Sequence, residues 1–512
     1  MLEQGQNNPE LSILSIRLLA AVFFALGLLQ ILNHPLWQDE WQAWLLARDS
    51  GSLAGLFHNL RYEGHPALWY LALLGLSRWT AHPLAMQLLH LALATAAVYL
   101  LLRFSPFTRL QKILFVFGYF PFFEYAVVSR NYAAGIFLVF AFCALFPRTF
   151  PRKYPALAGL LFLLCQTSIY GLLLALALAA ALIASQLAAN GPRVRPPKSE
   201  LATAGVILGA GVLVAIWQLL PPPDSGFAVG WRFSADWPAA VRTLNTVWES
   251  YVPLPGFQMH FWNTNVIGHP YLKLILALLL LGLAGWRFRR QPAVLVCFFL
   301  GTLAILSFTY TKYFGSIRHH GHLFILFLAA CWLAADFPPR PRQPGDSRHF
   351  GDVAGPRRQG WLTALLAGQL AAGLLAAGLA LYYPFSAGRE TAQYIRDNGL
   401  DDWLIAGEAD DAASVVSGYL HRQIYYLCSN RWGSFVIWDQ QRKPLEIPEA
   451  LQRARDLAAS YRQEVLLVLN REIASTESGV IPLRQFRRSI VPAETFYLYR
   501  VNRPGESLGP CD

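Results

Sequence analysis

The sequence predicts a mostly α-helical, polytopic membrane protein of about 11 transmembrane helices, followed by a small C-terminal α/β domain. Three observations predict it. Apolar residues make up 55% of the 512 positions and charged residues 14%. The apolar residues come in blocks of near 20, the length an α-helix needs to cross roughly 30 Å of hydrocarbon. Near residue 384 this pattern gives way to short strands alternating with helices. The chain therefore divides into a membrane part, 1–383, with long loops at 33–82 and 222–268, and a soluble part, 384–512.

The first block, Leu11 to Leu32, is interrupted only by Arg17. No small-residue cleavage site follows it, so it reads as an uncleaved first span. Further blocks run at 83–102, 112–128, 131–147, 156–170, 171–187, 201–221, 269–286, 292–311, 321–336 and 361–383. The stretch Ala67 to Trp79 has only 13 residues and suits an interfacial or re-entrant helix. If it does not cross and the N-terminus is cytoplasmic, every strongly basic loop falls inside. These loops carry Arg103, Arg109 and Lys112; Arg148, Arg152 and Lys153; Arg193, Arg195 and Lys198; Arg287, Arg289 and Arg290; and five arginines from Arg340 to Arg358. That is the positive-inside distribution. The same parity places the Asp39–Glu40 loop and the last 130 or so residues on the outer face. It also explains the net charge of +11 without nucleic acid as a partner.

Ten of the 12 histidines fall in these outer parts, and His349 alone lies in an inner loop. Cys143, Cys165, Cys297 and Cys331 sit in apolar blocks as core filler. Cys428 and Cys511 lie in the soluble part, where pairing would need an oxidising compartment. In that part "GRETAQYIRDNG" reads as an amphipathic helix ending at Gly399. Strands are expected at "DWLIAGEA", "QIYYLC", "SFVIWD" and "EVLLVLN", and helices at 412–420 and 448–461. No GxGxxG or GxxxxGK[ST] argues for nucleotide binding.

Four outer clusters carry chemistry. In "WQDEWQAWLLARD", Asp39 and Glu40 either serve a hydrophilic loop, with Asp39 capping a helix, or face a reaction. In "YEGHPALWY", Glu63 and His65 precede the short helix. In "FFEYAVVSRNYAAG", Glu124 lies inside a span and Arg130 and Tyr132 at its exit; a structural Glu124–Arg130 pair is the bland alternative. In "TKYFGSIRHHGH", Lys312, Arg318, His319, His320 and His322 form a basic outer loop, against the charge bias of the rest. Carboxylates, a basic cluster and an apolar setting at one membrane surface suit a lipid with a phosphate headgroup. Arginine binds phosphate bidentately and lysine as a point charge, and a nearby carboxylate can act as general base. A divalent ion on Asp39, Glu40 or His65 is compatible with the donor types, but no HxxxH-type spacing requires it.

The order of these motifs resembles the GT-C superfamily of integral-membrane glycosyltransferases. It is nearest to bacterial relatives of protein O-mannosyltransferases and of the lipid A aminoarabinose transferase. "QDEWQAWLLARD" after one span, "EGHPALWY" opening a juxtamembrane helix and "FPFFEYAVVSRNYAAGIFLVF" carry the resemblance, which covers residues 11–190 well and the later spans by architecture only. It implies an inverting transfer from a polyprenyl-phosphate sugar in the bacterial inner membrane, the C-terminal domain being periplasmic. Asp39 is the implied base and Glu40 the second choice. Arg130 and Tyr132 match the second outer turn; the acidic residue of some members after that turn is absent, and Glu124 stands in for it. Arg130, Tyr132, Lys312 and Arg318 are then expected on the donor phosphate, and Glu63, His65, His319 and His320 on substrate. The acceptor is a lipid, glycan or protein. A flippase for an amphipathic substrate and a catalytically silent binding protein are the competing classes; the absence of an inverted repeat counts against the first.

Overall fold

The computed structural model describes residues 11–187, 196–227, 230–337, 360–473 and 479–502. Arg193, Arg195, the arginines from Arg340 to Arg358, His349 and Cys511 lie outside these residues. The chain begins with α1 (Ile13–Asn33) and three short helices, α2 (Gln38–Asp49), α3 (Leu53–Leu60) and α4 (Leu68–Ser77). Next come α5 (Leu84–Phe104), α6 (Arg109–Val116), a π-helical turn at Tyr119–Glu124, α7 (Tyr132–Leu145), α8 (Lys153–Cys165), α9 (Ile169–Leu187) and α10 (Lys198–Leu219). The bundle is completed by α11 (Trp237–Tyr251), α12 (Pro270–Phe288), α13 (Pro292–Thr311), α14 (Ile317–Leu333) and α15 (Gly360–Tyr382).

Seven helices, α1, α5, α9, α10, α12, α13 and α15, are long and apolar enough to cross a membrane. The other four expected blocks make shorter helices. The 131–147 block ends early, as α7 of 14 residues, because Pro147 follows. The polar turn Gln166–Ser168 separates α8, 13 residues long, from α9. The 321–336 block forms part of the 17-residue α14. The 112–128 block is broken: α6 ends at Val116 and the chain passes into the π-helical turn. Pro121 in that turn has no N–H for a regular ladder, and Glu124 is its last residue.

The short α4 is about 15 Å long at ~1.5 Å per residue, half the hydrocarbon thickness. Both its ends stand beside α2. Gln42 Nε2 donates to Glu63 Oε1 at 2.6 Å before it, and Trp44 Nε1 to the Ala81 carbonyl at 3.2 Å after it. It therefore starts and ends on one side of the bundle. The 222–268 loop contains α11, which packs on α12 and α14. Its last residue, Tyr251, rests on Phe324 and Phe327, well along α14. A helix end buried there needs acceptors' partners. Gln369 of α15 supplies them, donating to the Ser250 and Tyr251 carbonyls at 3.0 and 2.9 Å.

After α15 come α16 (Gly388–Asp397), β1 (Leu404–Gly407), α17 (Asp410–Leu420), β2 (Ile424–Tyr426), β3 (Arg431–Gly433), α18 (Ile447–Tyr461), β4 (Val465–Leu469), β5 (Val480–Phe486) and β6 (Phe496–Val501). They form one mixed sheet in the order β3-β2-β1-β4-β6-β5. β1 runs parallel to β2 and β4, and the outer pairs are antiparallel. Gly399, at φ +62°, follows α16 at the expected stop. "SFVIWD" is not a strand of this sheet, and the β5–β6 hairpin was not expected. The backbone groups of 434–439 bond elsewhere. Val436 exchanges two 2.8 Å hydrogen bonds with the Gln42 side chain, and the Gly226 amide donates to the Trp438 carbonyl at 2.8 Å. The segment straps the sheet domain to α2 and to the 222–226 loop. Apolar residues of α2 and of the sheet domain consequently share one hydrophobic cluster, so Asp39 and the C-terminal domain lie at the same end of the bundle.

Candidate active site

Helix α2 begins after Trp37, so Asp39 is the second residue in the helix and does not cap it. Glu40, at the third position, reaches back to the Trp37 amide at 3.3 Å. It also accepts the Ser129 amide at 2.6 Å and bonds His34 Nε2 at 2.7 Å. Fully buried, Glu40 ties α1, α2 and the loop before α7 together. Asp39 is left to point elsewhere.

Asp39 Oδ2 accepts a hydrogen bond from Arg318 Nη2 at 2.7 Å and lies 4.0 Å from Arg130 Nη2. Arg130 Nη1 also donates to the Asp39 carbonyl at 2.5 Å. Burial pushes the Asp39 carboxyl up, but Arg318 and Arg130 outweigh it and hold the group below the ordinary carboxylate range. Arg130 Nη2 lies 3.1 Å from His65 Nε2. A guanidinium can only donate, so this nitrogen of His65 accepts and the ring is neutral. Burial first, and then the Arg130 charge, pulls His65 down to about 3. Two guanidiniums, one carboxylate and a neutral imidazole leave this ring with one net positive charge.

Arg318 packs against two aromatic rings, its guanidinium carbon 4.7 Å from the Trp37 ring centre and 5.5 Å from that of Trp262. Trp262 comes from the 222–268 loop and meets Trp37 and Phe385 edge-on, each at 4.9 Å. Arg318 Nε and Nη1, Arg130 Nε and the Tyr132 hydroxyl are buried without a hydrogen-bond partner among the described residues. Such donors are costly to bury unpaired. Here four of them come from the residues around one carboxylate.

The remaining expected residues fall at varying distance from this ring. Glu63 is half-buried and bonded to Gln42, with Tyr70 at 3.4 Å. Burial pushes its carboxyl up to about 7, against the hydrogen bond from Gln42. Glu124 does not pair with Arg130; its Oε2 accepts from Tyr119 and from Trp262 Nε1, both at 3.0 Å. Its Oε1 is buried without a partner among the described residues. The His319 ring packs on Tyr132 and Tyr170, and its Nδ1 accepts the Ser316 amide at 2.9 Å. His320 is turned away, donating from Nε2 to the Phe314 carbonyl at 2.7 Å. Lys312 places its ammonium 5.0 Å from the Trp231 ring centre.

Asp39, Glu40 and His65 do not converge on a cation: Asp39 is held by guanidiniums, and Glu40 points to His34 and Ser129. Among the described residues no group of three or more His, Cys, Asp or Glu is arranged to hold a metal ion. The side chains present do not fit a divalent cation at Asp39. Sequence reasoning missed Trp37, Trp262 and Gln42. Trp262 lies in the long 222–268 loop, outside the four clusters, and the partners of Gln42, Glu63 and Val436, are too distant in the chain for any local pattern.

The fold and site define a helical protein with membrane-spanning-length apolar helices and a polar, arginine-lined centre under a small sheet domain. No protein-family model, curated protein or solved structure matches the chain.

Proposed function

We propose that this protein is an inverting glycosyltransferase of the GT-C kind, taking a sugar from a polyprenyl-phosphate donor at the outer face of a bacterial inner membrane. In this reading the chain crosses the bilayer eleven times, the four shorter helices included, with the N-terminus cytoplasmic and the sheet domain periplasmic. The observation that carries it is the Asp39 carboxylate beside two buried guanidiniums that keep, among the described residues, three nitrogens without a partner: Nε and Nη1 of Arg318 and Nε of Arg130. A phosphate ester supplies the anionic oxygens those donors lack, and the net positive charge of the ring favours it.

The reaction is a single displacement. The acceptor's hydroxyl or amine attacks the anomeric carbon, and the bond from that carbon to the phosphate oxygen breaks. Its electron pair leaves with the polyprenyl phosphate, and the acceptor's proton passes to Asp39. Arg318 and Arg130 stabilise the charge that grows on the leaving phosphate, the kind of preorganised term that is often the largest in catalysis. Asp39 needs no raised pKa for this role, being ionised at neutral pH. The Tyr132 hydroxyl is assigned to the donor phosphate with the arginines, and Glu63, Glu124 and His319, which border the site, to the sugar or the acceptor. Lys312 and His320 take more peripheral places.

The test is turnover by the purified protein with a panel of polyprenyl-phosphate sugars and a membrane extract as acceptor, beside Asp39→Asn. Release of polyprenyl phosphate by the wild type alone supports the reading. Specific donor binding or liposome transport without any turnover supports a carrier or a binding protein.

A further inference from the structure

The N-terminus of α2 is not completed by its own segment. Its cap position is Trp37, a side chain with no oxygen to offer the first amides of the helix. The amide of Gln38 is one of the donors that a helix leaves without an internal partner. Glu494 takes it: Oε1 accepts the Gln38 amide at 2.5 Å, from 456 positions further along the chain. Glu494 is fully buried, in the short turn Pro492–Glu494 between β5 and β6. Its own carbonyl accepts the Ala387 amide at 3.2 Å, which fixes the turn against the segment following α15. Other contacts hold the same helix from the same side. Arg389 donates to the His34 carbonyl at 2.9 Å, and Trp41 lies edge-on to Tyr419 at 4.8 Å. A Cβ on Gly418 would come within 2.4 Å of the Trp41 ring, so α17 meets α2 at van der Waals contact.

We propose that Glu494 is a positioning residue of the active centre, capping α2 from the C-terminal domain and so fixing Asp39 one residue beyond the capped amide. This rests on the assignment of Asp39 as base. The sheet domain then completes the catalytic helix as well as covering it. Burial pushes the Glu494 carboxyl up to about 8, against the hydrogen bond from the Gln38 amide, and Asp39 and Glu40 add like charge. Glu494 therefore caps as a neutral acid at pH 7, which avoids a third carboxylate charge beside Asp39 and Glu40. A glutamine presents the same carbonyl to the Gln38 amide.

The experiment combines amide hydrogen exchange over residues 37–46 with release of polyprenyl phosphate, on the full chain in detergent. The variants are Glu494→Ala, Glu494→Asp, Glu494→Gln and Asp39→Asn. Glu494→Ala is expected to speed exchange at the start of α2 about ten-fold and to lower kcat at least as much, with the donor KM within about three-fold of wild type. Glu494→Asp, too short to reach, follows it if the alanine variant does not fold. Glu494→Gln restores both readouts. Wild-type exchange in Glu494→Ala or Glu494→Asp overturns the proposal, as does a loosened α2 with unchanged kcat. Asp39→Asn separates the two assignments: it keeps wild-type exchange, and turnover surviving in it would remove the base assignment while leaving the cap to be judged by exchange.

Discussion

Asp39 and Arg318 stand 279 positions apart in the chain and share a 2.7 Å hydrogen bond in the fold. That contact occupies one nitrogen of a guanidinium whose other two are buried without a partner among the described residues. Packed against Trp37 and Trp262 and bonded to Asp39, Arg318 has little freedom to find them partners by moving. The arrangement holds a carboxylate and an anion-binding fork side by side, with the guanidinium favouring the ionised carboxylate.

Replacing Arg318 by Ala should lower kcat for donor cleavage by about 10²–10³, the usual cost of removing one preorganised donor to a developing oxyanion. Arg318→Lys should recover only part of it, because an ammonium lacks the planar fork that binds Asp39 and phosphate together. Single-turnover release of polyprenyl phosphate measures both. Full activity in Arg318→Ala would remove the phosphate role.

Glu40 and Asp39 are neighbours with different consequences. Glu40→Ala strands the Trp37 and Ser129 amides and His34 in a buried place. A loss of at least about 2 kcal/mol is expected, seen as a lower melting temperature in detergent. Asp39→Asn should abolish turnover with a smaller loss of melting temperature at pH 7, because the amide oxygen still accepts from Arg318 although the charge that balances the guanidiniums is gone. Equal melting of the two variants would contradict the separation.

The stability of the protein should depend on Glu63 in a defined pH window. Its carboxyl lies at about 7 in the fold, above the ordinary value near ~4.3 for an exposed glutamate. The folded state therefore binds the proton more tightly than the unfolded state. Its stabilising contribution is complete below the unfolded value and is lost as pH rises through 7. Glu63→Gln should accordingly melt higher than wild type at pH 8 and about equally at pH 4. The reverse order would mean that Glu63 is charged and paired in the fold.

Gln369 offers a test of the buried end of α11. Gln369→Leu leaves the Ser250 and Tyr251 carbonyls without their amide donor, for an expected cost of about 1–3 kcal/mol. Thermal unfolding and proteolysis within 252–268 read it out; no change in either would place that helix end in contact with water.

Much of the helical framework was legible because its signal is local. A run of apolar residues near 20 long needs only its own composition to be recognised, and the seven spanning-length helices match expected blocks with their ends shifted by about three residues at most. Helix ends were less so: the break after Val116 and the π-helical turn that follows, with Pro121 inside it, interrupt a block that hydropathy reads as continuous. In the C-terminal domain, β1, β2 and β4 follow expected strands. "SFVIWD" has the same apolar alternation, but its backbone groups found better partners in Gln42 and the 222–226 loop.

Residue types and their order identified Asp39, Arg130, Arg318 and His65 as candidates, since charged side chains beside apolar spans stand out against their surroundings. Their chemistry within the fold was decided elsewhere. That Asp39 faces the guanidiniums while Glu40 is spent on the backbone follows from helical geometry and from where Ser129 and His34 come to rest. Trp262, Gln42 and Glu494 act on the site from 21 to 456 positions away from their partners. No local pattern encodes such contacts, because hydrogen bonding and packing depend on distance in space, which the chain acquires only when its helices and sheet have assembled.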